Sequence, residues 1–486
     1  MTEPSAGSSV SRSVSRGLAW VGTASALVAV CDLVGLALIL RFWTSKAGYG
    51  TATLVTTLFG ALQLVGEAGL PAALVQRDHA DPARLSTAFW LGLMFGAGLY
   101  GVIWLVAPLI GQVFDTPLLT DLFRVAGLTI VLRSVYTTPQ ALLRKQLRFK
   151  ELSLVRMLAN LAELATKVGS AAAGAGLWCF VLGPIAREVV YAVGVPLASG
   201  WRPSLVFRPR GMADDFRFGV RSTGGDLVYQ LYSNFDYQVV GYFFGREAVG
   251  VYRAAYELVL EPVKFVSGVV TVVAFPAFAR LRSDRTSLVA QMLAFTRQNL
   301  AAVLMFVALI VVTADDMLHV VFGPEFVIGA TAARVLAIVG ALRALSFLGP
   351  PLLDGVGRSD LSLRYQLVAA MALTTSFVIG ARLGTSADAV AVAWAVGYPL
   401  AFVLLARMVL HELGLTATAF VRPLLRLVAI PVVAAGCGLL ARLIATGTSH
   451  GVRLAISGGV VLLVSIAGLV AFEGYSPRAI ARRIRG

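Results

Sequence analysis

The fold is decided by a stretch that begins Asn234-Phe-Asp-Tyr-Gln-Val-Val-Gly-Tyr-Phe-Phe-Gly-Arg-Glu-Ala-Val-Gly-Val-Tyr-Arg-Ala-Ala-Tyr-Glu257 and continues as an apolar run to Leu281. Asp236 lies in a largely apolar and aromatic part of this stretch. A charged side chain at the centre of a membrane helix costs roughly 2.5–3.5 kcal/mol by insertion scales. The stretch therefore predicts the working interior of a membrane protein.

The same stretch predicts a hairpin between two membrane spans. Three glycines punctuate it: Gly241, Gly245 and Gly250. After the hairpin, Glu257, Glu261 and Lys264 recur at i, i+4 and i+7, which places them on one helical face. Two interpretations of this face stay open, because Glu261 and Lys264 are spaced to pair with each other as well as to line a cavity.

Composition supports the membrane assignment over the whole chain. The 486 residues are 58% hydrophobic and 14% charged, with a mean hydropathy of +0.80, whereas a soluble domain has about 25% charged residues. The net charge of +15 is explained by cytoplasmic loops that are rich in Lys and Arg, as is usual in membrane proteins. No nucleic-acid partner is therefore expected. Cys31, Cys179 and Cys437 lie far apart in apolar runs, so they predict core residues rather than a disulfide or a metal site.

The sequence predicts an all-α polytopic membrane protein. A helix needs about 20 mostly apolar residues to cross the hydrocarbon core, and about fourteen segments meet this requirement. They lie near residues 18–40, 50–72, 86–107, 119–140, 153–174, 177–198, 219–241, 251–275, 295–313, 328–350, 365–383, 388–408, 424–444 and 453–472. Alternate connections carry the Lys and Arg residues, which predicts that both termini are cytoplasmic.

A weak internal repeat predicts two lobes. Asp32 in the first span is followed by Gly48-Tyr-Gly-Thr-Ala-Thr53, and Asp236 in the seventh is followed by Gly250-Val-Tyr-Arg-Ala-Ala255. The offset is an even number of spans, so the two six-helix lobes are expected to be parallel copies with a cleft between them, followed by two appended helices. The predicted divisions are a tail at 1–17, an N-lobe at 18–200, a linker at 201–217, a C-lobe at 218–410, spans 13 and 14 at 411–475 and a basic tail at 476–486.

Two predicted spans carry polar stripes. In the seventh span the stripe recurs at three- and four-residue steps: Ser222, Asp226, Tyr229, Ser233 and Asp236. In the fifth span it is more strongly charged: Arg156, Asn160, Glu163 and Lys167. Each stripe either lines a wet cavity or pairs with neighbouring helices, and part of the second is explained by an intrahelical Glu–Lys pair.

Buried cations predict an anionic substrate, because guanidinium groups suit phosphate. The residues predicted to bind its anionic head group are Arg133, Arg156, Lys167 and Arg187. The residues predicted to line the cavity or to couple ions are Asp32, Asn160, Glu163, Asp226, Tyr229, Tyr232, Asn234, Asp236, Glu257, Glu261 and Lys264. Arg343 and Arg334 in the tenth span point to opposite sides, and Arg334 either faces the cavity or extends to the membrane interface.

Signals for catalysis are missing from the sequence. The four histidines are scattered near span ends or in loops, no P-loop occurs, and no metal or organic cofactor is expected. The largest predicted outer loop spans residues 314–327, and its Asp315-Asp316 pair is interpreted as solvated loop rather than a metal site. We therefore expect a transporter driven by a proton or sodium gradient rather than an enzyme.

Four stretches, in this order, resemble one family. They are Gly66-Glu-Ala-Gly-Leu-Pro-Ala-Ala-Leu-Val-Gln-Arg77, Pro139-Gln-Ala-Leu-Leu-Arg-Lys-Gln-Leu-Arg-Phe-Lys150, Trp201-Arg-Pro203 and the opening stretch through Phe275-Pro-Ala-Phe278. They resemble the polysaccharide-transporter branch, with Wzx-like flippases, of the multidrug/oligosaccharidyl-lipid/polysaccharide exporter superfamily. The resemblance covers roughly residues 14 to 420.

The resemblance implies a flippase of the bacterial cytoplasmic (inner) membrane. Such a protein moves undecaprenyl-pyrophosphate-linked oligosaccharide units to the periplasmic leaflet by alternating access, with membrane lipid around the prenyl tail and a polysaccharide polymerase and chain-length proteins as expected partners. Two alternatives stay open. A multidrug or organic-cation antiporter of the same fold would need a mainly acidic and aromatic pocket, and a membrane polymerase or ligase would need a large outer catalytic loop.

Overall fold

The described part of the molecule is helical. The structure is a computed structural model that describes residue 28 and residues 31–66, 81–146, 148–209, 212 and 227–473, and these ranges contain no strand. Nine helices within them are long and apolar enough to cross a membrane, so the protein is a multi-pass membrane protein. The total of fourteen spans, the symmetry of the lobes and their boundaries stay predictions.

The chain divides into two compact units, Met1–Asn234 and Phe235–Gly486. In the first unit residues 31–42 and 227–233 are helical. The described residues between them form six α-helices: α1 (Lys46–Gly66), α2 (Pro82–Val113), α3 (Leu118–Ala126), α4 (Leu128–Lys145), α5 (Phe149–Ala172) and α6 (Cys179–Ser199). Helices α5 and α6 are neighbours in sequence and pack along each other, which brings the charged stripe of α5 onto α6.

Local chemistry explains where helices of the first unit begin and how they carry polar residues. Asp81 caps α2 by accepting a hydrogen bond from the Ala83 amide, with Pro82 in the first turn, a combination that satisfies a free helix-terminal N–H group. Within α1, the hydroxyls of Thr53 and Thr57 donate to carbonyls four residues earlier. These bonds hide the hydroxyls, so the helix can stay in an apolar environment.

The second unit contains nine α-helices built around one central helix. They are α7 (Phe235–Leu281), α8 (Arg285–Val321), α9 (Ala330–Ser346), α10 (Gly349–Gly355), α11 (Ser359–Leu383), α12 (Asp388–Leu413), α13 (Ala417–Val421), α14 (Leu425–Ile444) and α15 (His450–Glu473). Helix α8 packs against α7, α9, α14 and α15. The two C-terminal helices, α14 and α15, pack against α8, where Val312 and Val461 share an apolar cluster. Their assignment as an appendage stays a prediction.

Helix α7 contains the hairpin that the opening stretch predicts. Its backbone is helical on both sides of Gly245, which has φ 82° and ψ 176°. An L-residue rarely adopts this conformation, because its Cβ collides with the backbone, whereas glycine has no Cβ. One of the three predicted glycines thus makes the break, and Asp236 and Glu257 lie on the two segments that meet there.

Gly245→Ala is expected to destabilise the second unit, because a non-glycine residue in such a conformation costs about 1–3 kcal/mol. Gly268→Ala is the matched control on the same helix, because an added Cβ there has no atom within 4 Å, and alanine favours a helix by roughly 0.5–1 kcal/mol over glycine. Thermal unfolding of the purified protein measures both. A larger loss for Gly268→Ala than for Gly245→Ala would contradict the assignment of the break.

Candidate functional site

The charged stripe of α5 meets two charged residues of α6. The Glu163 side chain is only 5% exposed, and it accepts from Lys167 Nζ at 2.5 Å and from Arg187 Nη1 at 2.9 Å. Arg187 also reaches Glu188, at 3.1 Å. Glu163 therefore holds two of the four predicted head-group cations, one from its own helix and one from α6.

A glycine on α6 makes room for Lys167. A Cβ built on Gly183 would lie 2.3 Å from Lys167 Cγ and 3.1 Å from its Cδ. Those atoms belong to the base of the side chain, so they cannot move aside without moving the ammonium group. The close approach of α5 and α6 at Gly183 thus positions Lys167 beside Glu163.

Gly183→Ala is expected to displace Lys167 from Glu163 while leaving the Arg187–Glu163 pair in place. Overpacking a tight contact costs typically about 1–3 kcal/mol, so we expect a moderate loss of thermal stability. Gly169→Ala on α5 is the control, because no atom lies within 4 Å of its added Cβ. Equal stability of the two variants would show that the close approach does not exist.

The fourth helix extends the cluster with an aromatic pair. Tyr136 of α4 donates to Glu188 at 2.6 Å, and its ring stacks on Tyr191 of α6 with centroids 5.1 Å apart. Arg133 of α4 donates to the amide oxygen of Gln63 at 3.0 Å. Both Arg133 and Arg187 act electrostatically on Tyr136. The first unit therefore brings predicted cations of α4, α5 and α6 to one place.

Arg156 differs from the other cations of this cluster. Its guanidinium makes no hydrogen bond or ion pair with any residue in the described ranges. It lies within electrostatic range of Asp32 and Tyr191. Its backbone carbonyl accepts from the Asn160 amide at 2.7 Å, so Asn160 bonds to its own helix. With respect to the described residues, Arg156 thus keeps its hydrogen-bond donors available.

The balance of charge in this cluster favours an anion. Among the described residues the cluster contains four cations, at positions 133, 156, 167 and 187, and three carboxylates: Asp32, Glu163 and Glu188. A guanidinium offers donors in a planar fork that matches phosphate and carboxylate oxygens. The cluster can therefore take up one further negative group, and Arg156 is the side chain with donors to offer it.

The second unit holds a buried carboxylate whose two oxygens both accept hydrogen bonds from the protein itself. Asp236 is 0% exposed, and its Oδ2 accepts from Tyr252 Oη and Trp394 Nε1, both at 2.9 Å. Its Oδ1 accepts from the Tyr237 amide at 3.0 Å. Arg343 acts on it electrostatically. Burial of a carboxylate is tolerated here because donors surround it.

Aromatic rings around Asp236 are covered by cations of the protein itself. Arg343 lies 4.9 Å from the Trp394 ring centre and donates to Tyr256 Oη at 3.0 Å. Arg253 lies 4.9 Å from the Tyr237 ring centre, and Lys264 lies at the same distance from the Tyr256 ring centre. Cations over aromatic faces gain about 0.5–2 kcal/mol each. A cation of the protein therefore already lies over each of these three rings.

The remaining predicted residues of α7 are paired along the helix. Glu257 pairs with Arg253 four residues earlier, and Glu261 pairs with Lys264 at 2.7 Å. Near the end of the first unit, the rings of Tyr229 and Tyr232 meet edge to face at 5.5 Å. The Asn234 amide donates to the Gln230 carbonyl at 3.0 Å. Asp226 lies outside the described residues.

One interpretation of the sequence is wrong. Asp315 and Asp316 do not lie in a solvated loop, because α8 continues to Val321 and Asp316 is 0% exposed. Their partners come from other helices: Arg334, Arg442, His450 and Arg453. Arg334 pairs with Asp315 instead of extending alone to an interface. Hydropathy alone places these two charges in water, because their partners lie up to 137 positions away in sequence and cannot be inferred locally.

Sequence reasoning also missed the aromatic residues of both sites. No role is predicted from the sequence for Tyr252, Trp394, Tyr136 or Tyr191. Tyr252 and Trp394 donate to Asp236, Tyr136 donates to Glu188, and Tyr191 stacks on Tyr136. The signal that could have found Tyr252 is its place in the Gly-Val-Tyr hairpin, but Trp394 lies on a distant helix and gives no local sign.

Comparison with known proteins places these sites in a transporter fold. The structure is similar to the lipid II flippase MurJ in an inward closed conformation, with a TM-score of 0.75 and 13% identity over 93% of this chain and 98% of that chain. It is also similar to an inward-facing multidrug resistance MATE family transporter of the MOP superfamily, with a TM-score of 0.63 and 17% identity over 80% and 96%. At these identities the likeness concerns the fold.

Sequence relatives agree with one another in their biosynthetic context. The teichuronic acid biosynthesis protein TuaB of Bacillus subtilis (strain 168) is 28% identical over 89% of this chain and 90% of its own length. The lipopolysaccharide biosynthesis protein WzxC of Escherichia coli (strain K12) is 24% identical over 80% and 77%. A family model described as polysaccharide biosynthesis protein matches residues 38–328, more than half of the chain. The resemblance predicted from the sequence is confirmed, and the chain belongs to this family of membrane proteins of polysaccharide biosynthesis.

Proposed function

We propose that the protein is a flippase for lipid-linked oligosaccharides. Its substrate is an undecaprenyl-pyrophosphate-linked repeat unit of an exopolysaccharide, capsule or O-antigen type, moved from the cytoplasmic to the periplasmic leaflet of the bacterial inner membrane. The observation that carries this proposal is the cluster of α4, α5 and α6, where four cations outnumber three carboxylates. The family and the flippase fold of a structural neighbour support the same conclusion.

In this proposal, Arg156 binds the pyrophosphate and the other cations position it. Lys167 and Arg187 pair with Glu163, so their positive charges are largely compensated within the protein. Binding a phosphate oxygen through Arg156 requires no internal ion pair to break. Arg133, which bonds a neutral amide at Gln63, is the second contact. The sugars are recognised outside this cluster, and the prenyl chain stays in the membrane lipid.

Transport requires exposure of the bound head group to each side of the membrane in turn. We propose that a proton or sodium gradient drives this alternating access and that both chain termini are cytoplasmic. A polysaccharide polymerase and chain-length proteins are the partners that would take the product. The roles given to Asp32, Tyr229, Tyr232 and Glu257 as cavity or coupling residues belong to the same proposal.

An organic-cation antiporter is the alternative function on this fold, and the geometry of the second unit disfavours it. Such a protein needs an acidic site with open aromatic faces. Asp236 is buried with its oxygens engaged, and Arg253, Lys264 and Arg343 cover the neighbouring rings. An organic cation would have to displace these internal cations first. Drug resistance on overexpression, without a polysaccharide defect on deletion, would favour this alternative.

The proposed function is tested by deleting the gene in its native host. We expect surface polysaccharide to be lost and lipid-linked repeat units to accumulate on the cytoplasmic side of the membrane. Wild-type protein supplied on a plasmid should reverse both effects. Normal surface polysaccharide, with no accumulation of the lipid-linked intermediate, would contradict the proposal.

A further inference from the structure

A second charged cluster lies at the end of α8 and takes no part in the anion site. Its residues come from four helices: Asp315, Asp316 and His319 of α8, Arg334 of α9, Arg442 of α14, and His450 and Arg453 of α15. We call these seven residues the histidine cluster. Glu325, on the short helical segment Pro324–Gly329 beside α8, is exposed and makes no ion pair within the described ranges.

The two histidines of this cluster stack on each other. The ring centroids of His319 and His450 are 4.0 Å apart, and the planes differ by 14°. This corrects the interpretation of the histidines as scattered, because positions 319 and 450 are distant in sequence and adjacent in the fold. The His450 side chain is 36% exposed.

The Nδ1 atom of His450 faces two neighbours that make opposite demands on it. It lies 2.7 Å from Asp316 Oδ1 and 2.8 Å from Arg453 Nη2. A carboxylate only accepts hydrogen bonds and a guanidinium only donates them. An Nδ1 without a hydrogen accepts from Arg453, and an Nδ1 with a hydrogen donates to Asp316, so it satisfies only one neighbour at a time. A neutral ring can adopt either arrangement, because its hydrogen lies on Nδ1 or on Nε2, whereas a protonated ring carries both hydrogens and can only donate to Asp316.

The surrounding ion pairs can rearrange along with that proton. Asp316 Oδ1 accepts from Arg453 as well as facing His450, while Oδ2 of the same buried carboxylate has no hydrogen-bond partner among the described residues. Arg442 Nη2 is bonded to Asp315 at 2.5 Å and lies 3.6 Å from that free Oδ2. Arg442 therefore has a second acceptor within reach.

We propose that His319, His450 and Asp316 form a proton-binding site that controls how the C-terminal helices α14 and α15 are held against α8. With neutral histidines, three arginines face two aspartates, an excess of one positive charge. The first proton gains the carboxylate of Asp316 as its partner. A second proton places two cations 4.0 Å apart next to three arginines, and like charges at this distance repel each other.

The consequence is that acid loosens the cluster and weakens the attachment of α14 and α15. The only covalent bond that forms or breaks is the N–H bond of a histidine ring. Proton binding itself is independent of the flippase proposal. Its use as the coupling step of transport rests on that proposal and would make the proton the driving ion.

The test observes the histidines directly in purified protein in lipid nanodiscs without substrate. His79→Gln and His411→Gln leave only the cluster histidines, whose ring nitrogens are followed by NMR from pH 4 to 9 after labelling with ¹⁵N-histidine. We expect the signals of each ring to respond to protonation of the other, as in a coupled pair. Asp316→Asn should weaken binding of the first proton. Two independent, equal titrations would overturn the site.

The movement of α14 is tested with a cysteine that the chain already has. Cys437 lies on α14 five positions before Arg442, and Cys31→Ser with Cys179→Ser makes it the single thiol. Its rate of labelling by an uncharged maleimide is compared with that of the same protein carrying His319→Gln and His450→Gln, at each pH, so that thiol ionisation cancels. We expect the ratio of rates to rise about threefold or more from pH 8 to pH 5.5. A constant ratio would overturn control of the helices by the proton site.

These readouts separate the two proposals, because neither requires substrate. Failure of the NMR or labelling result would leave the flippase function untouched. Whether an Arg156 variant loses export or keeps it has no bearing on the proton site.

Discussion

Replacing Arg156 with glutamine is expected to reduce polysaccharide export about ten- to a hundred-fold, because a charge-assisted hydrogen bond contributes roughly 1.5–3 kcal/mol. Arg156 keeps its donors available within the described part of the first unit, so the variant loses substrate contacts and leaves no buried partner uncompensated. The amount of the Arg156→Gln variant in the membrane and its thermal stability should equal those of the wild type. Export is measured as surface polysaccharide in a deletion strain carrying the variant.

Two comparisons make the Arg156 result specific. Lys150→Gln removes one positive charge from the exposed start of the same helix and should leave export normal. Lys167→Gln should have an intermediate effect, because Arg187 still holds Glu163. An Arg156 variant that exports normally, or a Lys150 variant that fails equally, would show that the cation cluster does not bind the head group.

Replacing Asp236 with alanine is expected to destabilise the second unit by about 3–5 kcal/mol, the usual cost of removing one partner from a buried charged network. Tyr252 and Trp394 would keep buried donors without an acceptor, and Arg343 would lose its neighbouring negative charge. The midpoint of thermal unfolding in detergent should fall by roughly 10 °C. Asp236→Asn should lose less, since an amide oxygen can still accept one bond.

A matched control for Asp236 is Asp360→Ala on α11. This aspartate is exposed and pairs with Arg358 at 3.2 Å, and surface pairs contribute little to stability. We expect its unfolding midpoint to stay close to that of the wild type. If Asp236→Ala were as stable as Asp360→Ala but lost export, Asp236 would be a transport residue and its assignment to the fold would be wrong.

Sequence alone predicts the membrane-protein class and the family, because both follow from long patterns. Apolar runs set the spans, and four short stretches in order identify the family. Spacing along one helix also predicts the Glu163–Lys167 and Glu261–Lys264 pairs, since i, i+3 and i, i+4 neighbours meet regardless of tertiary structure. Both pairs are present, at 2.5 and 2.7 Å.

Contacts between helices are where the sequence stops being informative. Trp394 meets Asp236 across 158 positions, and Asp316 meets Arg453 across 137. A buried charge indicates that a partner exists, but the packing of the helices determines which residue is that partner. The same limit explains why Arg156, Lys167 and Arg187 of the fifth and sixth spans are all predicted to bind the head group. In the structure Lys167 and Arg187 pair with Glu163, and Arg156 keeps its donors available within the described residues.

The most direct test of the central claim is a flipping assay with purified protein in proteoliposomes. Vesicles carry a fluorescent polyprenyl-pyrophosphate-linked oligosaccharide in the inner leaflet, and its arrival in the outer leaflet is measured by accessibility to an added glycosidase. We predict that the wild-type protein moves the lipid faster than protein-free vesicles and that Arg156→Gln moves it about ten-fold more slowly than wild type or worse. A wild-type rate equal to that of empty vesicles, under an imposed proton or sodium gradient of either direction, would contradict the account.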